Sequence, residues 1–271
     1  MFKFAFYMFL WYIIFIMNME KFDYHFRIRN NYDVALNLAS IYKDVAYSQF
    51  DKTQLDNIFK TSRQDISKNN YVQHFSNIIK DLNDKCNKEL SQTIDYLNQR
   101  WQNYKQRYYE IVGQIFNIEF NFDVVNNLYC ELQYLPINEI SVKDGAIYLS
   151  CNQSNEQIFV KFIIKLTQLI LLQTWNNYNR WKFNTDFDSQ NKIFMFADIA
   201  VDAIFHNSEL NQVCDNPSYK YFYNINYQNV NMMKQFREMY KSMEINKFLD
   251  EVYLFVYNNY SSLSQFKHYL Y

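Results

Sequence analysis

The sequence predicts an α+β domain that is predominantly helical, with its helices packed on a small antiparallel sheet. Apolar residues recur at three- and four-residue steps over most of the chain, as they do on one face of a helix. Residues 127–135 and 146–150 instead alternate with the two-residue period of a strand. An apolar content of 49% in 271 residues suffices for a sizeable core, and neither a repeat nor a Gly-, Pro- or Ser-rich linker divides it. The expected organisation is an apolar N-terminal segment, 1–18, followed by one compact domain, 19–271, with a helical first part (19–118) and a mixed second part (119–271).

Residues 1–17 leave three readings open. Phe4 to Met19 is free of charge and strongly apolar through Met17, which is marginal against the roughly 20 apolar residues of a spanning helix. If it inserts, Lys21, Arg27 and Arg29 outweigh Lys3 and leave the domain facing the cytoplasm. Alternatively, Met17 or Met19 is the true start of a cytoplasmic protein. A cleaved signal peptide would need small residues at its cleavage site, and Ile16-Met-Asn-Met-Glu20 offers none.

The elements follow in order. Tyr24 to Arg29 alternates as a short strand, and Asp33 can cap a helix whose apolar face is Val34, Leu36, Leu38 and Ile41. Leu55, Ile58 and Phe59 fit a second short helix. From Val72 to about Ile118 no proline interrupts the stripe Ile78, Ile79, Leu82, Cys86, Leu90, Ile94, Leu97, Trp101, Tyr104, so a long helix is expected, broken near Gly113. The strand at 127–135 ends at Pro136, and Lys143-Asp-Gly145 supplies turn chemistry before the strand Ala146–Ser150. These two strands read as an antiparallel hairpin. A largely apolar helix from Asn155 to Trp175, a polar loop to about Asn191, a helix containing Asp198, and a helical remainder from about Val230 complete the chain. In that remainder Met239, Met243, Phe248, Val252 and Phe255 are the packing positions.

Composition excludes some functions. Lys and Arg number 27 against 28 Asp and Glu and are dispersed, which gives no electrostatic footprint for nucleic acid. The 25 Tyr and 25 Phe, beside only 2 Gly and 2 Pro, fit an AT-rich coding sequence better than a base-stacking surface. Cys86, Cys130, Cys151 and Cys214 form no Cys-x-x-Cys pair, so zinc-knuckle and dithiol motifs are absent. A Cys130–Cys151 bridge would require an oxidising compartment.

Phe162-Ile-Ile-Lys-Leu-Thr-Gln-Leu-Ile-Leu-Leu172 resembles the active-site helix of zinc metallopeptidases, in which an apolar helix carries His-Glu-x-x-His. On that frame Ile164 and Gln168 stand at the two histidines and Lys165 at the general-base glutamate. Phe196-Ala-Asp-Ile-Ala-Val-Asp202 resembles the downstream Glu-x-x-x-Asp helix of the gluzincin branch, with Asp198 at the third zinc ligand and Asp202 at the carboxylate supporting the ligands. The resemblance spans roughly Leu128 to Leu210 and implies zincin-like helices on the sheet, with an edge strand ahead of the motif helix. It also implies lost hydrolysis. Ile164 cannot ligate a metal, Gln168 offers only an amide oxygen, and an ammonium at Lys165, with a reference pKa near about 10.4, repels zinc and accepts no proton. No cofactor is expected, and His25, His74, His206 and His268 form no pair at ligand spacing. In the emptied site Lys165 is expected to pair with Asp198 or Asp202. Without the family frame, the same residues read as a buried helix with an accidental Leu-Thr-Gln and an aspartate pair on a solvated face.

Two functions compete. One is a catalytically inactive metallopeptidase-like protein that binds a peptide or protein in the former substrate cleft, marked by an open groove beside Ala146–Ser150. The alternative is a membrane-tethered helical scaffold, with residues 1–17 as anchor and the long helix as interaction surface. An enzyme of another kind is disfavoured, because no nucleophile elbow, glycine-rich phosphate loop or paired His/Cys constellation occurs.

Overall fold

Strand β1, Asn18–Ile28, starts six residues before the alternation at Tyr24 and runs parallel to β2, Glu119–Gln133, with Phe26 opposite Cys130 and Ile28 opposite Leu132. The computed structural model describes residues 18–30, 33–34, 71–133, 139–141, 145–151, 153–179, 190–213 and 230–264. The apolar segment 1–17, most of the helix expected after Asp33 and the helix at Leu55–Phe59 lie outside them.

Joining parallel neighbours requires a crossover, and helix α1, Tyr71–Phe116, is part of it. Leu90, Leu97 and Trp101 of the expected stripe are buried. The helix runs past Gly113 and ends at Asn117, which takes a left-handed φ of 52° while Ile118 N–H donates to the Gly113 carbonyl at 2.9 Å. This six-to-one closure is a Schellman stop, and it explains the glycine: a Cβ at 113 would lie 2.8 Å from the Ile118 carbonyl oxygen.

The expected hairpin is corrected. β4, Ala146–Ser150, pairs parallel with β2, Cys130 opposite Ile147. The antiparallel partner of β4 is a short strand, β3, Glu139–Ser141, which closes the sheet order β1-β2-β4-β3. Three strands are thus parallel and one edge strand is antiparallel. The sequence misled because only about ten residues separate the two alternating stretches, a hairpin-like spacing; β3 lies within that spacing and reverses the chain, so β4 returns in the direction of β2. Gly145 makes the turn into β4 at φ 64°, accepts a 2.7 Å hydrogen bond from the buried Tyr24 hydroxyl, and leaves no room for a Cβ beside Leu128. No disulfide joins Cys130 to Cys151; Cys130 is buried, which pushes its thiol well above the ordinary range.

Helix α2, Asn155–Asn179, is the centre of the molecule. Ser154 and Gln157 form a capping box: Ser154 Oγ accepts from the Gln157 N–H, and Gln157 Oε1 accepts from the Ser154 N–H. Glu156 in the first turn is held by Arg100 and Tyr96 of α1. Phe162 then meets Phe26 and Trp101 at ring-centroid distances of 4.8 and 5.1 Å, which fixes the helix on the sheet and on α1. Asn155–Trp175 is long and apolar enough to cross a membrane, but 83% of its most apolar window is buried in the fold, as suits a core helix. Helices α3 (Gln190–Asn207), α4 (Leu210–Val213), α5 (Val230–Ser242) and α6 (Ile245–Ser264) follow. Trp175 of α2 packs on Phe196 of α3 and Tyr253 of α6. Among the described residues the chain is predominantly helical with one small sheet.

Candidate functional site

The four-residue spacing of Ile164 and Gln168 places both on one face of α2, with Lys165 beside them. Ile164 is buried, Lys165 is half-buried and Gln168 is buried. Asp198 enters from α3: Gln168 Nε2 donates to Asp198 Oδ1 at 2.5 Å, across thirty residues of sequence. On its other side, Gln168 Oε1 accepts from Lys165 Nζ at 2.9 Å. The three side chains therefore form a line of ammonium, amide and carboxylate. The amide orientation is dictated by its neighbours, since the flipped form would set NH₂ against the ammonium and oxygen against the carboxylate.

The expected ion pair of Lys165 with Asp198 or Asp202 does not form. Lys165 reaches Asp198 only through the Gln168 amide, because the glutamine occupies the space between them. Asp202, one turn beyond Asp198, is fully buried and engaged elsewhere: Arg237 of α5 donates Nε to Oδ2 at 2.8 Å and Nη2 to Oδ1 at 2.9 Å. His206 Nδ1 lies 3.3 Å from Asp202 Oδ1. The two aspartates thus divide, with Asp198 exposed at the site and Asp202 in the interior. Sequence reading missed Arg237, which lies 35 residues from its partner and carries no motif.

Ile164 brings no ligand atom, the amide oxygen of Gln168 is already occupied by a cation, and Lys165 supplies no base. Among the described residues, no three His, Cys, Asp or Glu side chains gather to hold a metal ion.

Beside Ala146–Ser150, β2 occupies one edge of β4 and β3 pairs with Ala146–Tyr148 on the other. Among the described residues, the free edges of the sheet belong to β1 and β3, and β3 packs against α2.

No protein-family model, no curated protein and no solved structure matches this chain.

Proposed function

We propose that the chain is a catalytically inactive metallopeptidase-like protein that holds an extended peptide or protein segment in the position of that family's substrate cleft. The observation that carries the reading is the meeting of Gln168 with Asp198: two positions that the family frame assigns to zinc ligands, on separate helices, are in direct contact. Ile164 and Lys165 stand on the same part of α2, and the helix follows directly on β4 and its antiparallel edge neighbour β3. The binding edge in this reading is β3, not Ala146–Ser150. An edge strand has one side whose N–H and C=O groups are not paired within the sheet, and an extended chain can add there.

Restoring the ligands tests the frame. In the full chain, Ile164→His, Lys165→Glu, Gln168→His and Asp198→Glu together rebuild the donor set, and the expected result is about one zinc per chain by plasma mass spectrometry, since three protein ligands suffice for an open zinc site. A restored variant with native-like circular dichroism and no zinc overturns the reading. Ile164→His with Gln168→His alone, which leaves Lys165 and Asp198 in place, is the milder variant if the fourfold change unfolds the chain; cobalt absorption then reports ligation, and its absence in folded protein has the same meaning.

A further inference from the structure

Lys165 and Asp198 carry opposite charges on neighbouring helices and do not pair. Gln168, only 2% exposed, stands between them: its amide oxygen accepts from Lys165 Nζ at 2.9 Å and its Nε2 donates to Asp198 Oδ1 at 2.5 Å. One amide and two hydrogen bonds span the gap, so Nζ and Oδ1 are at most about 8 Å apart. Asp198 is exposed and Lys165 half-buried, which sets both charges at the surface above a buried, neutral floor.

The separation leaves bonding capacity on each charge. Two of the three Lys165 N–H donors and the Asp198 Oδ2 acceptor remain for a ligand. A direct ion pair would have consumed both. Held apart, the two ends recognise the opposite arrangement, a carboxylate over Lys165 and a cation over Asp198.

Lys165 also lies on the side of α2 where a sheet edge is near. Thr167, two residues on and therefore on the opposite side of the helix, bonds to the Tyr108 hydroxyl of α1 at 3.0 Å. Helix α1 in turn meets β1, where Asn98 Oδ1 accepts from the Phe26 N–H at 3.1 Å. In the order β1-β2-β4-β3, β1 is the edge beside α1 and β3, which packs against α2, is the far edge, so Lys165 lies on the β3 side. On an extended chain, side chains two residues apart share a face and stand about 7 Å apart, a step that fits the spacing of the two charges.

We infer that Lys165 and Asp198 read an acidic and a basic side chain two residues apart on an extended peptide added at β3. The inference rests on the peptide-holding reading above and names the side chains that are held.

The probe is a fluorescein-labelled twelve-residue peptide repeating Glu-Thr-Lys-Thr. It is compared by anisotropy on the full chain with Glu-Lys-Thr-Thr repeats of the same length, composition and charge. The first sets glutamate and lysine on one face of a strand, and the second sets them on opposite faces. The first is expected to bind about tenfold or more tightly, with the difference shrinking as salt rises. Lys165→Met and Asp198→Asn each remove most of that difference, while Lys80→Met, at an exposed position of α1, leaves it unchanged. Lys165→Gln serves as a second variant if the methionine change perturbs the fold. Exchanging the charges, Lys165→Glu with Asp198→Lys, restores the difference, because the Gln168 amide can turn over and the repeat presents acid and base in both orders. Equal binding of the two peptides, or a difference that survives Lys165→Met with Asp198→Asn, overturns the inference. Zinc uptake by the restored variant with equal binding of the peptides overturns the charge reading alone. A difference between the peptides without zinc uptake overturns the metallopeptidase frame alone.

Discussion

Arg237 closes on Asp202 with two hydrogen bonds, 2.8 and 2.9 Å, and so joins α5 to α3 one turn away from the exposed Asp198. Asp202 is fully buried and Arg237 mostly so, with 18% of its side chain exposed. A carboxylate in that position is tolerable only because both its oxygens are met by the planar fork of the guanidinium. The end of α3 meets α5 a second time, where Asn207 Nδ2 donates to the Arg237 carbonyl at 2.9 Å.

Removing one partner therefore costs more than removing both. Asp202→Ala or Arg237→Met leaves a buried charge uncompensated and is expected to lower stability by about 3–5 kcal/mol, whereas Asp202→Leu with Arg237→Met costs much less. Urea denaturation of the two singles and the double closes the cycle. Additive losses would mean that the pair is not the tie between the helices.

Phe162 is the ring on which three elements converge. Its centroid is 5.5 Å from Tyr24 and 4.8 Å from Phe26 on β1, and 5.1 Å from Trp101 on α1. Phe162→Ala is expected to cost about 3–5 kcal/mol through lost burial and a cavity that the sheet cannot collapse to fill. Phe162→Leu, which keeps much of the volume, is expected to cost clearly less. A thermal or urea midpoint for each variant checks the order, and equal losses would refute the packing argument.

How much of this was legible in the sequence depends on the range of the interaction concerned. The long stripe from Ile78 to Tyr104 is a local period, and the reading Val72 to about Ile118 placed α1 to within two residues at each end. The motif helix and the Asp198 helix were legible for the same reason. Strand direction was not, because alternation is blind to polarity: Cys130-Glu-Leu132 looks the same whether its neighbour runs with it or against it. The three residues of β3 are too short to show a period at all.

The pairing of Lys165 was misread. Spacing put Ile164, Lys165 and Gln168 on one part of α2, the resemblance set Asp198 opposite them, and of these Gln168 meets Asp198. The partner of Lys165 was misassigned because charge complementarity favoured an aspartate, whereas the chain placed a glutamine between the two. The glutamine satisfies both through its amide dipole. Arg237 carried no signal, since a lone arginine on an amphipathic helix is ordinarily a solvated residue.

Lys161 gives the last prediction, and its sign can be worked out. Burial first, and the charge of Lys165 second, hold its ammonium below the ordinary 10.5. Between the folded value and 10.5 the unfolded chain binds more protons than the native one, so stability rises with pH through that window. Below the window the lysine charge weakens the native state in full. Lys161→Met removes that effect, so the variant is expected to be more stable than the parent at neutral pH, with an advantage that shrinks as pH approaches 10.5. Any constant gain from the added apolar surface of methionine does not vary with pH and is subtracted by the comparison. Urea midpoints at pH 7, 9 and 10.5 supply the measurement, and a pH-independent difference would refute it.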